Sequence, residues 1–454
     1  MESPHSHSHS HPHSQSQSKS QSQSQFVCRW YPPAFDIRLE SVPIPTIQHP
    51  DDAIIKIKFA GLCGSDLHVY RGHEDVNETH ICGHEFIGHV VALGSSFHSG
   101  SPPSRPVLYS YLKVGDKVIS PFTVSCGECE YCRLGFTARC ISSLLFGSPT
   151  LQGCQAQYVR VPLAGGTLFS LSTLSLPLDH PLSLPQELSS LPDPALLLLA
   201  DILPTGLFVV LQACTHPKLA PIFTGIPWPH SLGHLTRDVL LKGCTLPFLS
   251  AAERILDVAI VGLGPVGLCA TLALLDYLTR ADVRYRIVAV DPNGSRRAKM
   301  QKIYDALPED AKGKSADEFI VSDIPDVPKV VQAWGRRGCH AVLEVVGTPS
   351  ALTLSVSLLA PSGVLSSCGV HQSPQIPFTG RELYDRNVSL EFGRCSAHSI
   401  FAAAVGLLLR RRDVLGAIGE CSIIDRVIPL RDAVKAYEAF EKGVYGKVVF
   451  DPWA

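Results

Sequence analysis

The 454-residue chain has no excess of charge of either sign. Its 39 Lys and Arg face 41 Asp and Glu, for a net charge of −2. Partners recognised by bulk charge, such as nucleic acid and anionic membrane surfaces, are therefore not expected. Also missing is an uninterrupted hydrophobic run of membrane length. A lipid-spanning helix needs roughly 20 apolar residues, and the most apolar stretch, Ala195 to Ala213, is broken by Asp201 and Pro204. The N-terminus lacks the apolar core of a signal peptide, so a reduced, cytoplasmic setting is expected. There, fifteen cysteines do not spell a disulfide framework, and those set close together point to metal.

What remains is an ordinary globular composition, 45% hydrophobic and 18% charged. Residues 1–25 are Ser, His and Gln with almost nothing apolar. They read as a disordered tail, with weak metal binding by the alternating His5, His7, His9, His11 and His13 as the alternative. From Phe26 to about Val161 short alternating runs are cut by Gly and Pro, and "DAIIKIKFAG", "GHVVALG" and "VGDKVIS" read as strands. After Asp257 strands alternate with helices, which implies a parallel sheet with crossover helices. Residues 98–113 read as a Ser/Pro-rich loop. Residues 214–253 show no clean periodicity and read as a surface insertion or a segment that damages the fold.

Cys126, Cys129, Cys132 and Cys140 follow the spacing C-x2-C-x2-C-x7-C. One folded loop can then present four thiolates to a tetrahedral Zn2+, with no position left open, so the site reads as structural. An iron–sulfur cluster or four unrelated thiols are the alternatives. A second group, Cys63, Ser65, Asp66, His68, His84 and Glu85, crowds a short span. Cys63 and His84 suit two ligands of a catalytic zinc, but on these residues alone a buried thiol and a core histidine remain equally open.

Gly262, Gly264 and Gly267 form G-x-G-x-x-G between the strand "DVAIV" and an apolar helix. That setting marks a dinucleotide turn, where backbone N–H groups at a helix N-terminus receive a pyrophosphate. Asp291 ends the next strand, where a carboxylate accepts from an adenosine ribose and repels a 2′-phosphate, favouring NAD over NADP. Arg296 and Arg297 nearby soften that preference or are solvated charges.

"GLCGSDLH", "GHE", the four-cysteine loop and "GLGPVG" occur here in the order seen in medium-chain zinc alcohol dehydrogenases. The chain resembles that family over residues 26–213 and 254–454. The resemblance implies a doubly wound α/β Rossmann coenzyme domain joined to a mostly β GroES-like catalytic domain. It divides the chain into a catalytic part at 26–201 with a zinc lobe at 126–140, a coenzyme part at 202–394 and a returning catalytic part at 395–454. It implies two Zn2+ per chain, with Cys63 and His84 on the catalytic one. The segment "LLLLADILPTG" is similar to that of glutathione-independent formaldehyde dehydrogenases and fungal relatives, which implies Asp201 as third ligand. Glu85 is then expected behind the metal and Asp66 behind His84. Ser65 and His68 are expected to relay a proton. Gly369, Val370 and His371 are expected to face the nicotinamide, and Lys447 to reach the pyrophosphate. Phe122 either lines the pocket or is a core aromatic.

The implied activity is NAD-linked hydride transfer from an alcohol, as the zinc-stabilised alkoxide, or reduction of the matching aldehyde. A polyol dehydrogenase, a formaldehyde-dismutase-like activity, and a non-catalytic or damaged family member are the rivals. The expected partners are a small alcohol or aldehyde and further copies of the chain, as a dimer or tetramer.

Overall fold

In the computed structural model the described residues are 23–98, 100, 102, 104–172, 183–232, 246–373 and 375–454. Most of the tail expected at 1–25 lies outside them. Its proposed end is too late by two residues, because Ser24–Tyr31 is already a strand antiparallel to Asp36–Pro43. Gln25 is buried there, and its side-chain oxygen accepts from the Tyr158 backbone N–H at 2.7 Å.

The catalytic half is built on Ala53–Leu62, whose Ile55 and Ile57 are fully buried. This strand pairs antiparallel with Phe86–Leu93 and with Tyr158–Val161. Phe86–Leu93 in turn pairs with Lys117–Ser120. On the other edge Lys447–Asp451 comes back from the end of the chain to pair antiparallel with Ala53–Leu62 and parallel with Ile424–Pro429. This is the mostly β part expected from the alternating runs, for which the family resemblance implies a GroES-like domain.

Within 98–113, the expected loop contains a short helix, Leu108–Tyr111. Tyr109 is fully buried, and the Arg105 guanidinium lies 3.7 Å from its ring centroid. Arg105 also donates to Asp51 at 2.8 and 3.1 Å. A Tyr–Arg–Asp stack fixes the segment where periodicity gives no signal.

The coenzyme half holds six parallel strands in the order Glu318–Ser322, Arg284–Val290, Ile255–Val261, Cys339–Glu344, Leu359–Ser367, Ser389–Phe392. Numbered by sequence this is 3-2-1-4-5-6, the doubly wound Rossmann order. Leu256, Val258 and Ile260 join one core cluster, and Ala259 and Val261 another. Period-two alternation therefore buries both faces, as a sheet with crossover helices on each side requires. The first cluster continues into Leu196–Leu203, the segment that carries Asp201.

That segment consists of two helical stretches, Asp193–Ala200 and Ile202–Cys214, bent by 46°. Among the described residues no single helix is long and apolar enough to cross a membrane. Of the insertion at 214–253, residues 233–245 lie outside the described residues. The flanks close on themselves: Leu249 N–H donates to Gly225 O at 2.8 Å. Arg254 donates to Ile222 O and Phe223 O at 2.9 and 2.5 Å. Leu219 and Ile222 are buried in the main core. The segment leaves and rejoins the coenzyme half at one place without parting its sheet.

Candidate active site

A cleft of about 780 Å³ is lined by residues of both halves. It opens beyond the carboxyl ends of the paired strands Ile255–Val261 and Cys339–Glu344, where the strand order reverses and ligands meet doubly wound sheets.

On the catalytic side Cys63 precedes helix Gly64–Tyr70, and its backbone N–H donates to Asp66 Oδ2 at 2.9 Å. His84 enters just before strand Phe86–Leu93, and Asp201 comes from the bend between the two helices. Cys63 Sγ stands 3.6 Å from Asp201 Oδ2, and His84 Nε2 stands 3.3 Å from the same oxygen. A separation of 3.6 Å suits an S–H···O contact. It matches the edge of a tetrahedron around Zn2+: ligand distances of about 2.3 Å for S and 2.0–2.2 Å for N and O give edges of roughly 3.6 Å (S to O) and 3.4 Å (N to O). Residues separated by 138 positions thus meet at metal-ligand spacing. All three are buried.

The electrostatics suit a bound cation. Burial pushes the Cys63 thiol up, and the carboxylates of Asp201 and Glu85 add to it. Burial also works against protonation of His84, but Asp66 and Asp201 outweigh it and draw the imidazole well up. A divalent ion beside these groups would replace that proton and hold the thiolate. Supporting contacts orient the set. Asp66 Oδ1 lies 3.4 Å from His84 Nδ1, and Thr205 Oγ1 donates to Asp201 Oδ1 at 2.7 Å. Gln155 bridges Gly61 O and Asp66, and accepts from the Tyr437 hydroxyl at 2.9 Å. Thr205, Gln155 and Tyr437 are absent from the sequence-based site, since no local motif marks them.

Glu85 stands among the same ligand atoms, which all lie within 4.8 Å of one another. Its Oε1 is buried with no hydrogen-bond partner, and its Oε2 pairs with Lys447. The expected place of Lys447 at the pyrophosphate is therefore corrected. Its side chain is fully buried and its Nζ is committed to Glu85 and to Leu62 O at 3.1 Å. The sheet pairing of Val448 with Leu62 places it beside the ligand set.

Ser65 and His68 both line the cleft from helix Gly64–Tyr70. Spacing of three puts them on one helical face. His68 Nδ1 is buried without a partner. Phe122 meets both expectations at once: it is buried, and its ring stands edge-on to His84, centroids 6.4 Å apart, at the cleft wall.

On the coenzyme side Gly262 has φ +104°, which few other residues tolerate. A Cβ on Gly267 would strike Gly262 O, so helix Pro265–Arg280 packs tightly on its strand. Gly264 caps that helix at the cleft. Asp291 is buried, and its carboxylate accepts from Leu263 N–H and Asn293 N–H, both at 2.8 Å. Arg296 lines the cleft with Nη1 3.5 Å from Asp291 Oδ2, whereas Arg297 is turned to Asp291 O and Asp323. Gly369, Val370 and His371 line the same cleft, and His371 Nε2 is 2.7 Å from Ser367 Oγ, which donates to Glu344.

The four loop cysteines form a separate cluster. Cys126 Sγ–Cys132 Sγ and Cys129 Sγ–Cys140 Sγ are both 3.9 Å. Four sulfurs at about 2.3 Å from a tetrahedral ion stand roughly 3.8 Å apart. Backbone N–H groups of Cys126, Glu128, Cys129 and Ser142 donate to these sulfurs at 3.2–3.4 Å. Backbone N–H groups of Ile141 and Cys132 bring the Cys129 thiol down to about 6. The donor set fits zinc.

Comparison with known proteins follows the same division. Residues 49–170 match the family model of the alcohol dehydrogenase GroES-like domain, and residues 265–410 that of the zinc-binding dehydrogenases. Zinc-type alcohol dehydrogenase B of Aspergillus flavus is 33% identical over 92% of this chain and 79% of its own length. The medium chain reductase/dehydrogenase ucsI of an Acremonium species is 37% identical over 77% of this chain and 94% of its own. Among solved structures, the alcohol dehydrogenase TADH from Thermus sp. ATN1 superposes with a TM-score of 0.65 at 25% identity, covering 94% of this chain and 99% of that one.

Proposed function

Because the chain belongs to the medium-chain zinc-dependent alcohol dehydrogenase family, we propose that it transfers hydride between a small alcohol and NAD, with two zinc ions per chain. The observation that carries this reading is the meeting of Cys63, His84 and Asp201 at tetrahedral spacing on the wall of the cleft that also holds the glycine turn.

Cys63, His84 and Asp201 hold the catalytic ion, and Cys126, Cys129, Cys132 and Cys140 the structural one. When bound, the catalytic zinc supplies Lewis acidity that makes a substrate hydroxyl acidic near neutral pH. The nicotinamide supplies the hydride acceptor. The chain's own residues do the rest. Asp66 fixes the His84 ring, and Thr205 fixes the Asp201 carboxylate. Ser65 takes the substrate proton and His68 passes it outward. Phe122 and the backbone at Gly369 and Val370 confine the reacting carbon. Gly262, Gly264 and Gly267 bring backbone N–H groups to the pyrophosphate, and Asp291 both braces that turn and disfavours a 2′-phosphate. The open edge of the coenzyme sheet at Ser389–Phe392, beside exposed Ile376 and Tyr384, supports assembly with further copies of the chain.

The test joins metal analysis to turnover. Purified full-length chain is expected to carry two zinc ions and to form NADH with short, branched or aromatic alcohols or polyols. A zinc-replete chain that forms neither NADH nor NADPH with any of them refutes the reading.

A further inference from the structure

Four arginines line the cleft: Arg71, Arg139, Arg296 and Arg394. Two are spoken for. Arg71 binds Glu441 at 2.6 and 2.7 Å, and Arg296 faces Asp291. Among the described residues, the Arg139 and Arg394 guanidiniums have neither a hydrogen bond nor an ion pair.

Their place is fixed by the zinc lobe. Ala138 N–H donates to Ser396 Oγ at 3.3 Å, and Ser399 Oγ donates to Gly135 O at 2.6 Å. The lobe residue before Cys140 and the residue before Cys395 are thereby held on one lip. That lip lies at the metal end of the cleft. Cys395 packs with Phe122, which stands against His84.

A guanidinium stays charged in any such setting. The two repel one another across the lip, both are exposed to the cleft, and Glu74 and Asp201 favour the Arg394 charge. Glu74 lines the cleft nearby but forms no ion pair with either, and burial pushes its carboxyl up. Two forked, exposed donors with no hydrogen-bonding side-chain partner of their own, beside a site for a hydroxyl, make a receptor for a planar or tetrahedral anion.

We infer that the preferred alcohol carries an anionic group, a carboxylate or a phosphate ester, which Arg394 and Arg139 hold while its hydroxyl reaches the Cys63–His84–Asp201 set. The inference rests on the dehydrogenase reading above and narrows its substrate class.

The test uses zinc-replete full-length chain and matched pairs: glycolate against ethylene glycol, and glycerol 3-phosphate against glycerol. The charged member of at least one pair is expected to have the higher kcat/KM by about tenfold or more, as a charge-assisted hydrogen bond supplies. Which pair responds tells carboxylate from phosphate. In Arg394→Gln that preference is expected to collapse by about tenfold to a hundredfold, mostly through KM, and Arg394→Lys to keep part of it. Calorimetric binding of glycolate and of glycerol 3-phosphate gives a readout that needs no turnover, and added salt is expected to weaken it. Equal kcat/KM within both pairs overturns the inference and leaves the dehydrogenase reading intact. So does an Arg394→Gln chain that keeps the preference, or one that loses affinity for NAD by the same factor. Arginine-dependent binding of either anion without any NADH formed with any alcohol refutes the dehydrogenase reading and leaves the anion site standing.

Discussion

Replacing Lys447 by Met separates two places for that lysine. Its side chain has no solvent exposure, and the Glu85 side chain has 1%. Removing one partner of such a pair leaves an uncompensated buried charge and costs about 3–5 kcal/mol. The Leu62 carbonyl also loses its Nζ donor, which adds about 1 kcal/mol. Methionine fills the aliphatic volume, so little of the loss is a cavity effect. The expected loss of stability, read by chemical denaturation of the zinc-replete chain, is therefore about 4–6 kcal/mol. Lys447→Met/Glu85→Gln is expected to recover much of it, since no stranded charge remains. The loss also depends on pH. Without the lysine the largest charge opposing the burial that already pushes the Glu85 carboxyl up is gone. Its folded pKa then exceeds the unfolded value of about 4.3. The stability of the variant is fullest below that value and is lost as pH rises through the raised one. The dissociation constant for NAD is expected to stay within about twofold of wild type, because Nζ is committed to Glu85 and Leu62 O beside the ligand set. Undiminished stability together with a large rise in that constant would refute the burial argument and return Lys447 to the pyrophosphate.

Cys129→Ser is expected to lower zinc from two ions per chain to one, read by elemental analysis, since a hydroxyl cannot replace a thiolate already favoured near neutral pH. His68→Gln is expected to lower kcat by about tenfold to a hundredfold. Burial, with Arg71 and His73, holds the His68 imidazole below its usual 6.5. The wild-type acid limb should therefore fall below that pH and vanish in the variant; an unchanged pH profile would exclude His68 from the proton path.

Legibility in the sequence followed the range over which each contact acts. The zinc lobe and the glycine turn were readable because one loop or one strand–turn–helix unit carries all their chemistry. Asp201 came only through resemblance, because its meeting with Cys63 is made by tertiary packing over 138 positions. Lys447 was misplaced for the same cause: its sheet register with Leu62, not its neighbours in sequence, decides where Nζ goes. Thr205 and Gln155 gave no signal, since an isolated polar residue in an apolar run reads alike whether it braces a ligand or caps a turn. Arg139 and Arg394 were passed over because single arginines are common surface charges, and only the docking of the lobe sets them side by side. The buried Tyr109 stack escaped a reading based on periodicity because four helical residues are too few to show one.

The strand Lys447–Asp451 has a consequence in time. Lys447 trails Leu62 by 385 residues, yet it must insert beside it before Glu85 gains its cation. At translation rates of about 5–20 residues per second the ribosome needs roughly 20–80 s to cover that interval. During that wait the nascent first half exposes one flank of its central strand and carries an unneutralised acid within. Newborn chains are thus open to aggregation and to chaperone capture until that strand arrives. The surroundings of Cys63, His84 and Asp201 are complete only when this strand pairs with Ala53–Leu62.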